Sequence, residues 1–304
     1  MRILVTGAAG QLGRSFRRGL AGVDDTLFFD LKELDLTDSA QIKRSLTELK
    51  PDLVINCAAY TEVDSAEDKR DLAFAVNATA PKVIAEEQAR RGGAIIHIST
   101  DYVFDGTKAG EYTESDAPNP LQVYGVTKLE GEQGVAASGA AHLIFRTSWV
   151  YSYQCANFFL TMMRLFQSRK ELRVVADQFG APNYVDDMVR GMLDRFVLPD
   201  PSQSVERISQ FSGLYNLTAG GSTSFAGYAQ SILDLARQSP VFRSRLVCES
   251  IVPIPASEYP SKARRPANSR LSLDKTRNKL GIQLPAWDDA LARCMRELEK
   301  EPQA

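Results

Sequence analysis

From its third residue the chain runs Ile3-Leu4-Val5-Thr6, breaks into Gly7-Ala8-Ala9-Gly10-Gln11-Leu12-Gly13, and continues as a helical pattern. No other feature restricts the fold as much. A buried strand that turns on glycine straight into a helix opens a βαβ unit. Each glycine then meets a separate physical demand: a tight turn at Gly7, close backbone approach to a pyrophosphate at Gly10, and close packing of helix on strand at Gly13. A glycine-rich loop without a ligand can share this spacing. Its position between first strand and first helix selects the dinucleotide-binding reading.

The alternation that follows agrees. Short apolar runs at 3–6, 26–29, 53–57, 94–99 and 143–146 read as strands, with helical patterns at 11–20, 39–49, 72–91 and 123–137 between them. Continuously apolar strands separated by helices predict a parallel sheet covered on both faces, an α/β doubly wound fold of the Rossmann type. Past residue 150 the pattern is less regular. Helices are predicted at 157–167, 185–196, 225–237 and 287–298, and one more buried strand at 213–217. Prolines gather between Pro253 and Pro266, which suggests an extended segment lying across a surface. We expect residues 1–150 with about 183–218 to form a dinucleotide-binding domain, and about 151–182 with 219–304 a smaller C-terminal substrate-binding lobe.

Lys and Arg number 36 against 38 Asp and Glu, a net charge of −2, so no bulk field draws the chain to nucleic acid or an anionic membrane. No apolar run reaches the roughly 18 residues of a membrane span. The amino terminus turns glycine-rich too early for a secretory signal, and a cytoplasmic protein is expected. Cys57, Cys155, Cys248 and Cys294 show no paired spacing, which points away from disulfides and zinc. The two histidines, His97 and His142, sit inside apolar strand runs and read as structural. Chemistry here therefore falls to tyrosine, lysine, carboxylates or a bound cofactor, and no metal site is expected.

The candidates gather at strand ends. Asp30 closes the second strand, where a carboxylate can bind adenosine ribose hydroxyls. Nearby Lys32 can soften repulsion of a 2′-phosphate, so NADH and NADPH both stay open. Asp35 and Leu36 either meet the adenine edge or simply precede a helix capped by Thr37 or Asp38. Ala58-Ala59-Tyr60-Thr61 follows the third strand at its ligand-binding end, while Asp64 and Glu67 read as a solvated helix start. Tyr124 and Lys128, four apart at the head of a helical pattern, share a face. They follow a strand ending in Ser99-Thr100-Asp101-Tyr102. An ammonium beside a phenol lowers its pKa. Tyr124 can then protonate a carbonyl oxygen receiving hydride, with Thr100 donating a hydrogen bond to the same oxygen. A solvated lysine on an amphipathic helix is the plain alternative.

These residues join Val63-Asp64-Ser65-Ala66-Glu67, Val103-Phe104-Asp105-Gly106, Arg146-Thr147-Ser148-Trp149-Val150-Tyr151, Asp177-Gln178-Phe179-Gly180-Ala181-Pro182 and Arg264-Arg265-Pro266-Ala267-Asn268-Ser269-Arg270-Leu271. Together they resemble, over nearly the whole chain, the dTDP-4-dehydrorhamnose reductase family of extended short-chain dehydrogenases/reductases. The resemblance implies that Tyr124 is the proton donor, and that Lys128 holds the nicotinamide ribose and tunes Tyr124. It implies sugar contacts from Thr100 and Asp101 near the reacting carbon, with Tyr102 and Trp149 helping to hold the nucleotide sugar. Gly10, Gln11, Leu12, Asp30, Asp35, Leu36, Ala59, Tyr60 and Thr61 match cofactor-contacting positions. The implied reaction reduces the C4 ketone of dTDP-4-dehydro-β-L-rhamnose with NADPH or NADH, the last step towards the rhamnose donor of surface polysaccharide. Related 4,6-dehydratases resemble Thr-Asp-Glu at this strand end; Tyr102 in the third place removes the second base and favours reduction. For the diphosphate of the sugar nucleotide, Arg264 and Arg265 are candidate cations, with solvated loop charges as the alternative.

The chain also departs from the family. Glycines usually follow Trp-Val-Tyr, but here Ser152-Tyr153-Gln154-Cys155-Ala156 does, which removes easy access to positive φ and predicts another loop path. Asn183-Tyr184 stands where threonine is common, which bears on contacts around the nucleotide base. Some members pair through a metal held by acidic residues. Ser15 replaces one such acid, although Asp186 and Glu297 match others, so we expect a monomer or homodimer without a bridging metal. Two alternatives follow. The regulatory β subunit of methionine adenosyltransferase resembles these reductases, so the chain can be read as a cofactor-binding regulator, or as a reductase of another dTDP-4-keto sugar.

Overall fold

Six short strands, apolar enough to be buried on both faces, line up in parallel. The computed structural model describes residues 1–302 and contains β1 (Ile3–Thr6), β2 (Thr26–Phe29), β3 (Leu53–Asn56), β4 (Ala94–Thr100) and β5 (Ala141–Thr147), joined at one edge by the strand Gly213–Asn216. The order is Gly213–Asn216, β5, β4, β3, β1, β2. This is a doubly wound Rossmann-type sheet whose strand order reverses at β1, and such a reversal opens a ligand crevice at the carboxyl ends of the strands.

Both faces are dry. Leu4, Val54 and Ile95 meet Ile42, Leu46 and Ile84 from the helices Ser39–Leu49 and Ala80–Arg91. On the other face Ile3, Val5, Ile55 and Ile96 meet Phe16 of the helix Gln11–Gly19 and Met188 and Met192 of the helix Val185–Phe196. Each such side chain contributes about 1.5–3 kcal/mol by leaving water. Asp38 is the cap of Ser39–Leu49, accepting from the Ala40 and Gln41 amides.

The helix predicted at 72–91 is not continuous. Arg70–Phe74 is α-helical, Ala75–Thr79 widens into a π turn, and Ala80–Arg91 is α-helical again. Such bulges recur at functional sites. This one carries Asn77, whose side chain accepts from the Tyr60 amide at 2.8 Å and donates to the Tyr60 carbonyl at 3.0 Å and to Thr127 Oγ1 at 3.1 Å. The loop after β3 is thereby tied to the helix Val123–Ala137.

A second core lies beyond β5. Phe159, Tyr228 and Leu291 from the helices Phe158–Phe166, Phe225–Gln238 and Trp287–Lys300 pack around Tyr151, beside a parallel pair formed by Glu171–Val175 and Ser250–Ile254. Asn183 joins the two cores. Fully buried, it donates to the carbonyls of Ser148 and Ala181 at 2.5 and 2.8 Å and accepts from the Ala219 amide at 2.5 Å. No helix among the described residues is long and apolar enough to cross a membrane.

Candidate active site

A cleft of about 980 Å³ opens over the carboxyl ends of β1 to β5. On one wall is the glycine loop. Gly7 takes φ +66°, and a Cβ there would lie 2.7 Å from the Ala58 nitrogen. A Cβ on Gly13 would lie 2.2 Å from the Gly7 carbonyl oxygen, so Gly13 serves packing and does not line the cleft. Gly10 precedes the helix Gln11–Gly19 and offers no side-chain cap, which leaves first-turn N–H groups open to an anion. A dinucleotide pyrophosphate fits this cradle. Just past β2, Asp30 accepts from the Ala9 amide at 2.6 Å and the Leu31 amide at 2.8 Å. Asp35 and Leu36 line the cleft, and hydrogen bonds from the Thr37 hydroxyl and amide hold the Asp35 carboxyl below its usual range. Ala59, Tyr60 and Thr61 continue that wall.

The opposite wall brings Thr100, Asp101, Tyr102, Tyr124 and Lys128 together. Thr100 Oγ1 donates to Asp101 Oδ1 at 3.0 Å and accepts from the Tyr102 amide at 3.1 Å. The Tyr102 and Tyr124 rings meet edge to face, 5.9 Å between centroids. Asp101 is buried with Oδ2 lacking a protein partner. Burial pushes its carboxyl up to about 7, against hydrogen bonds from Ser269 and Thr100. Burial, then the Asp101 charge, pushes the Tyr124 phenol up to about 12, opposed by a hydrogen bond from Thr100.

That direction corrects the expectation that Lys128 lowers the phenol. Desolvation sets the direction, and the ammonium is anchored elsewhere: its Nζ donates to the Ile98 carbonyl at 2.5 Å and lies 3.5 Å from His97 Nε2. Lys128 is 1% exposed, which removes the solvated-helix alternative. Burial lowers it to about 8, with Glu132 and Cys57 opposing.

Two acids read as a solvated helix start also have protein partners, although the Asp64 side chain stays 45% exposed. Glu67 accepts from the Val123 amide at 2.8 Å, capping from a distance the helix that carries Tyr124, whose own Gln122 makes no side-chain cap bond. Asp64 accepts from the Ala263 amide and pairs with Arg265, both at 2.8 Å. Arg265 reaches the cleft wall, whereas Arg264 is exposed and outside it. Trp149 stacks on Phe225 with 3.8 Å between centroids, and Phe158 stands next to Phe225 at 5.2 Å. Phe158 and Phe225 line the cleft but carried no sequence signal, because an aromatic residue in an amphipathic helix reads equally well as core.

The cleft thus sets a glycine-loop cradle against a Tyr-Lys pair and a Thr-Asp-Tyr strand end. A family model described as the RmlD substrate binding domain matches residues 1–300. The chain belongs to the dTDP-4-dehydrorhamnose reductase family. It is 42% identical to a dTDP-4-dehydrorhamnose reductase of Burkholderia thailandensis over 98% of this chain and 99% of that one. A crystal structure of a dTDP-4-dehydrorhamnose reductase from Clostridium acetobutylicum superposes with a TM-score of 0.88 at 35% identity, covering 98% of this chain and all of the other (100%). The Bacillus anthracis dTDP-4-dehydrorhamnose reductase, crystallised in complex with NADP, gives 0.86 at 34% identity over 97% and 99% of the two chains.

Within this reductase family the departures have structural answers. The 152–156 loop lies down on the glycine loop: Ser152 Oγ and Asn157 Nδ2 donate to Gln11 Oε1 at 2.9 and 3.0 Å, and Cys155 Sγ is 3.6 Å from the Ala9 carbonyl. Cys155 reaches φ +64° without being glycine, so the left-handed turn survives at a side-chain penalty. Cys155→Gly is expected to raise unfolding stability by up to about 1 kcal/mol, because relief of left-handed strain exceeds the added chain entropy. A higher urea midpoint at unchanged m-value checks this; an unchanged or lower midpoint refutes it. Ser15 Oγ and Arg18 both bond Asp186 Oδ1, at 2.5 and 2.6 Å. Tyr184 donates to Asp186 Oδ2 at 2.8 Å. Asn183 and Tyr184 thus serve packing and lie outside the cleft wall.

Proposed function

We propose that this chain reduces the C4 ketone of dTDP-4-dehydro-β-L-rhamnose to dTDP-β-L-rhamnose with NADPH or NADH. The carrying observation is that Tyr124, Thr100 and Lys128 face the glycine loop across one cleft. A bound dinucleotide supplies the hydride. First-turn amides of the helix Gln11–Gly19 hold its pyrophosphate, Asp30 its adenosine ribose and Lys128 its nicotinamide ribose. Tyr124, kept a phenol by burial, gives its proton to the oxygen as negative charge develops, and the Thr100 hydroxyl, rotated away from Asp101 Oδ1, donates to the same oxygen. Asp101 and Tyr102 hold the sugar, Trp149 the nucleotide, and Arg265 the diphosphate. With Tyr102 in place of a second acid, reduction is supported over dehydration. Residues 1–150 with about 183–218 bind the dinucleotide, and about 151–182 with 219–304 the nucleotide sugar. We place the protein in the cytoplasm as a monomer or homodimer.

The test follows oxidation of NADPH, and separately NADH, with the 4-keto sugar nucleotide generated in situ by its epimerase. Turnover is expected to need both the sugar nucleotide and Tyr124. Dinucleotide binding without turnover would instead support a regulatory protein. Trp149→Ala is expected to raise the substrate KM on the order of tenfold with kcat little changed, from loss of about 1–3 kcal/mol of stacking. An unchanged KM returns Trp149 to a packing role.

A further inference from the structure

Three neighbouring strands, β1, β3 and β4, each carry a polar residue in the same register row. Thr6 pairs with Asn56 across β1 and β3, and Asn56 with His97 across β3 and β4. Side chains in one row stand on one face of a sheet, and here they touch in sequence. Thr6 Oγ1 lies 2.7 Å from Asn56 Oδ1, and Asn56 Nδ2 lies 3.1 Å from His97 Nδ1. His97 Nε2 faces Lys128 Nζ at 3.5 Å. All four residues are at most 2% exposed.

A neutral imidazole has one N–H and one acceptor nitrogen, and amide and hydroxyl groups can each be reversed. With Lys128 as an ammonium, Nε2 must accept. Nδ1–H then donates to the Asn56 oxygen, and the Asn56 amide donates to Thr6. With Lys128 as an amine, Nε2–H donates to the Nζ lone pair, Nδ1 accepts from the Asn56 amide, and the Thr6 hydroxyl donates to the Asn56 oxygen. Lys128, both ring nitrogens of His97 and the Asn56 amide each keep a partner in both states. The structure has the second orientation, with the amide oxygen towards Thr6 and its nitrogen towards His97.

We propose that Thr6, Asn56 and His97 form a hydrogen-bond chain that reverses polarity with the charge of Lys128, which makes His97 a positioning residue for that lysine. An orphaned buried donor or charge is costly, and the reversal spares the lysine that penalty whichever state it holds. The imidazole itself stays neutral: burial, then the Lys128 charge, pushes it well below its usual value. The other groups around Lys128 are accounted for. Burial holds the Cys57 thiol well up. Glu132 is taken by Arg146 and Ser99, and Tyr124 sits one turn back with Asp101 against it.

The proposal concerns the lysine of the reductase site but is read in ligand-free protein, so its failure is distinguishable from failure of the proposed turnover. The chain has two histidines, so ring-¹⁵N-histidine labelling gives two signal sets, and His97→Gln identifies one of them. As pH rises through about 8, where Lys128 loses its proton, the His97 ring is expected to change from the Nδ1–H to the Nε2–H tautomer without becoming protonated. Lys128→Arg should hold the Nδ1–H form at every pH, and Lys128→Met should abolish the response. One tautomer throughout the wild-type titration, or a change that persists in either variant, overturns the proposal. The wild-type titration alone decides this if a variant does not fold.

Discussion

Tyr124→Phe is expected to lower kcat by about 10²–10⁴-fold, the usual worth of a positioned proton donor, while the dinucleotide dissociation constant moves by no more than about threefold. The substitution removes one hydroxyl from a ring that keeps its edge contact with Tyr102, so packing is nearly conserved. The phenol's burial defines what its loss does. With its pKa pushed up to about 12, the hydroxyl is fully protonated across neutral pH and available in every molecule for the proposed proton transfer. Rapid-mixing measurement of a single turnover checks the chemical step. Near-wild-type kcat would remove Tyr124 from the reaction.

A larger effect on stability is expected from Arg146→Met: a loss of about 3–5 kcal/mol in denaturant unfolding. Arg146 lies on β5 and meets Glu132 of the helix Val123–Ala137 through two hydrogen bonds, at 2.9 and 2.6 Å, with both side chains almost completely buried. Ser99 adds a 2.5 Å hydrogen bond to the same carboxylate, and the guanidinium sits over the Phe104 ring at 4.9 Å. Removing the arginine strands a carboxylate away from water. Replacing both partners, Glu132→Leu with Arg146→Met, is expected to recover most of the loss, because two desolvation penalties vanish together. A double variant no more stable than the single one would mean that the pair acts through geometry alone.

That ion pair marks the limit of what sequence can convey. The sheet was legible because burial on both faces demands runs of Ile, Val and Leu, and the glycine loop because its turn has few chemical solutions. Tyr124 and Lys128 were legible as a spacing on a helix. Nothing local announces that Glu132 will meet Arg146, that Glu67 will cap a helix 56 residues onward, or that Asn77 will sit on a π turn and clasp Tyr60. Such contacts arise when elements dock, and residue type alone leaves each of them looking like ordinary surface. His97 is the instructive intermediate. Its reading as a buried strand residue was correct, yet its two ring nitrogens acquire meaning only beside Asn56 and Lys128. The direction of the Tyr124 shift also escaped the sequence, since desolvation depends on what surrounds the ring.

The glycine motif carries a lesson for recognising relatives that have lost turnover. Two of its three glycines answer to the protein's own backbone: the Ala58 amide crowds position 7, and the Gly7 carbonyl crowds position 13. Selection for folding alone would keep both after the ligand was gone. Position 10 differs, since a Cβ there would meet only the Gly7 carbonyl oxygen, at 3.3 Å, a contact that a small adjustment relieves. In a descendant freed from binding dinucleotide, Gly10 is the member of the motif that should drift first.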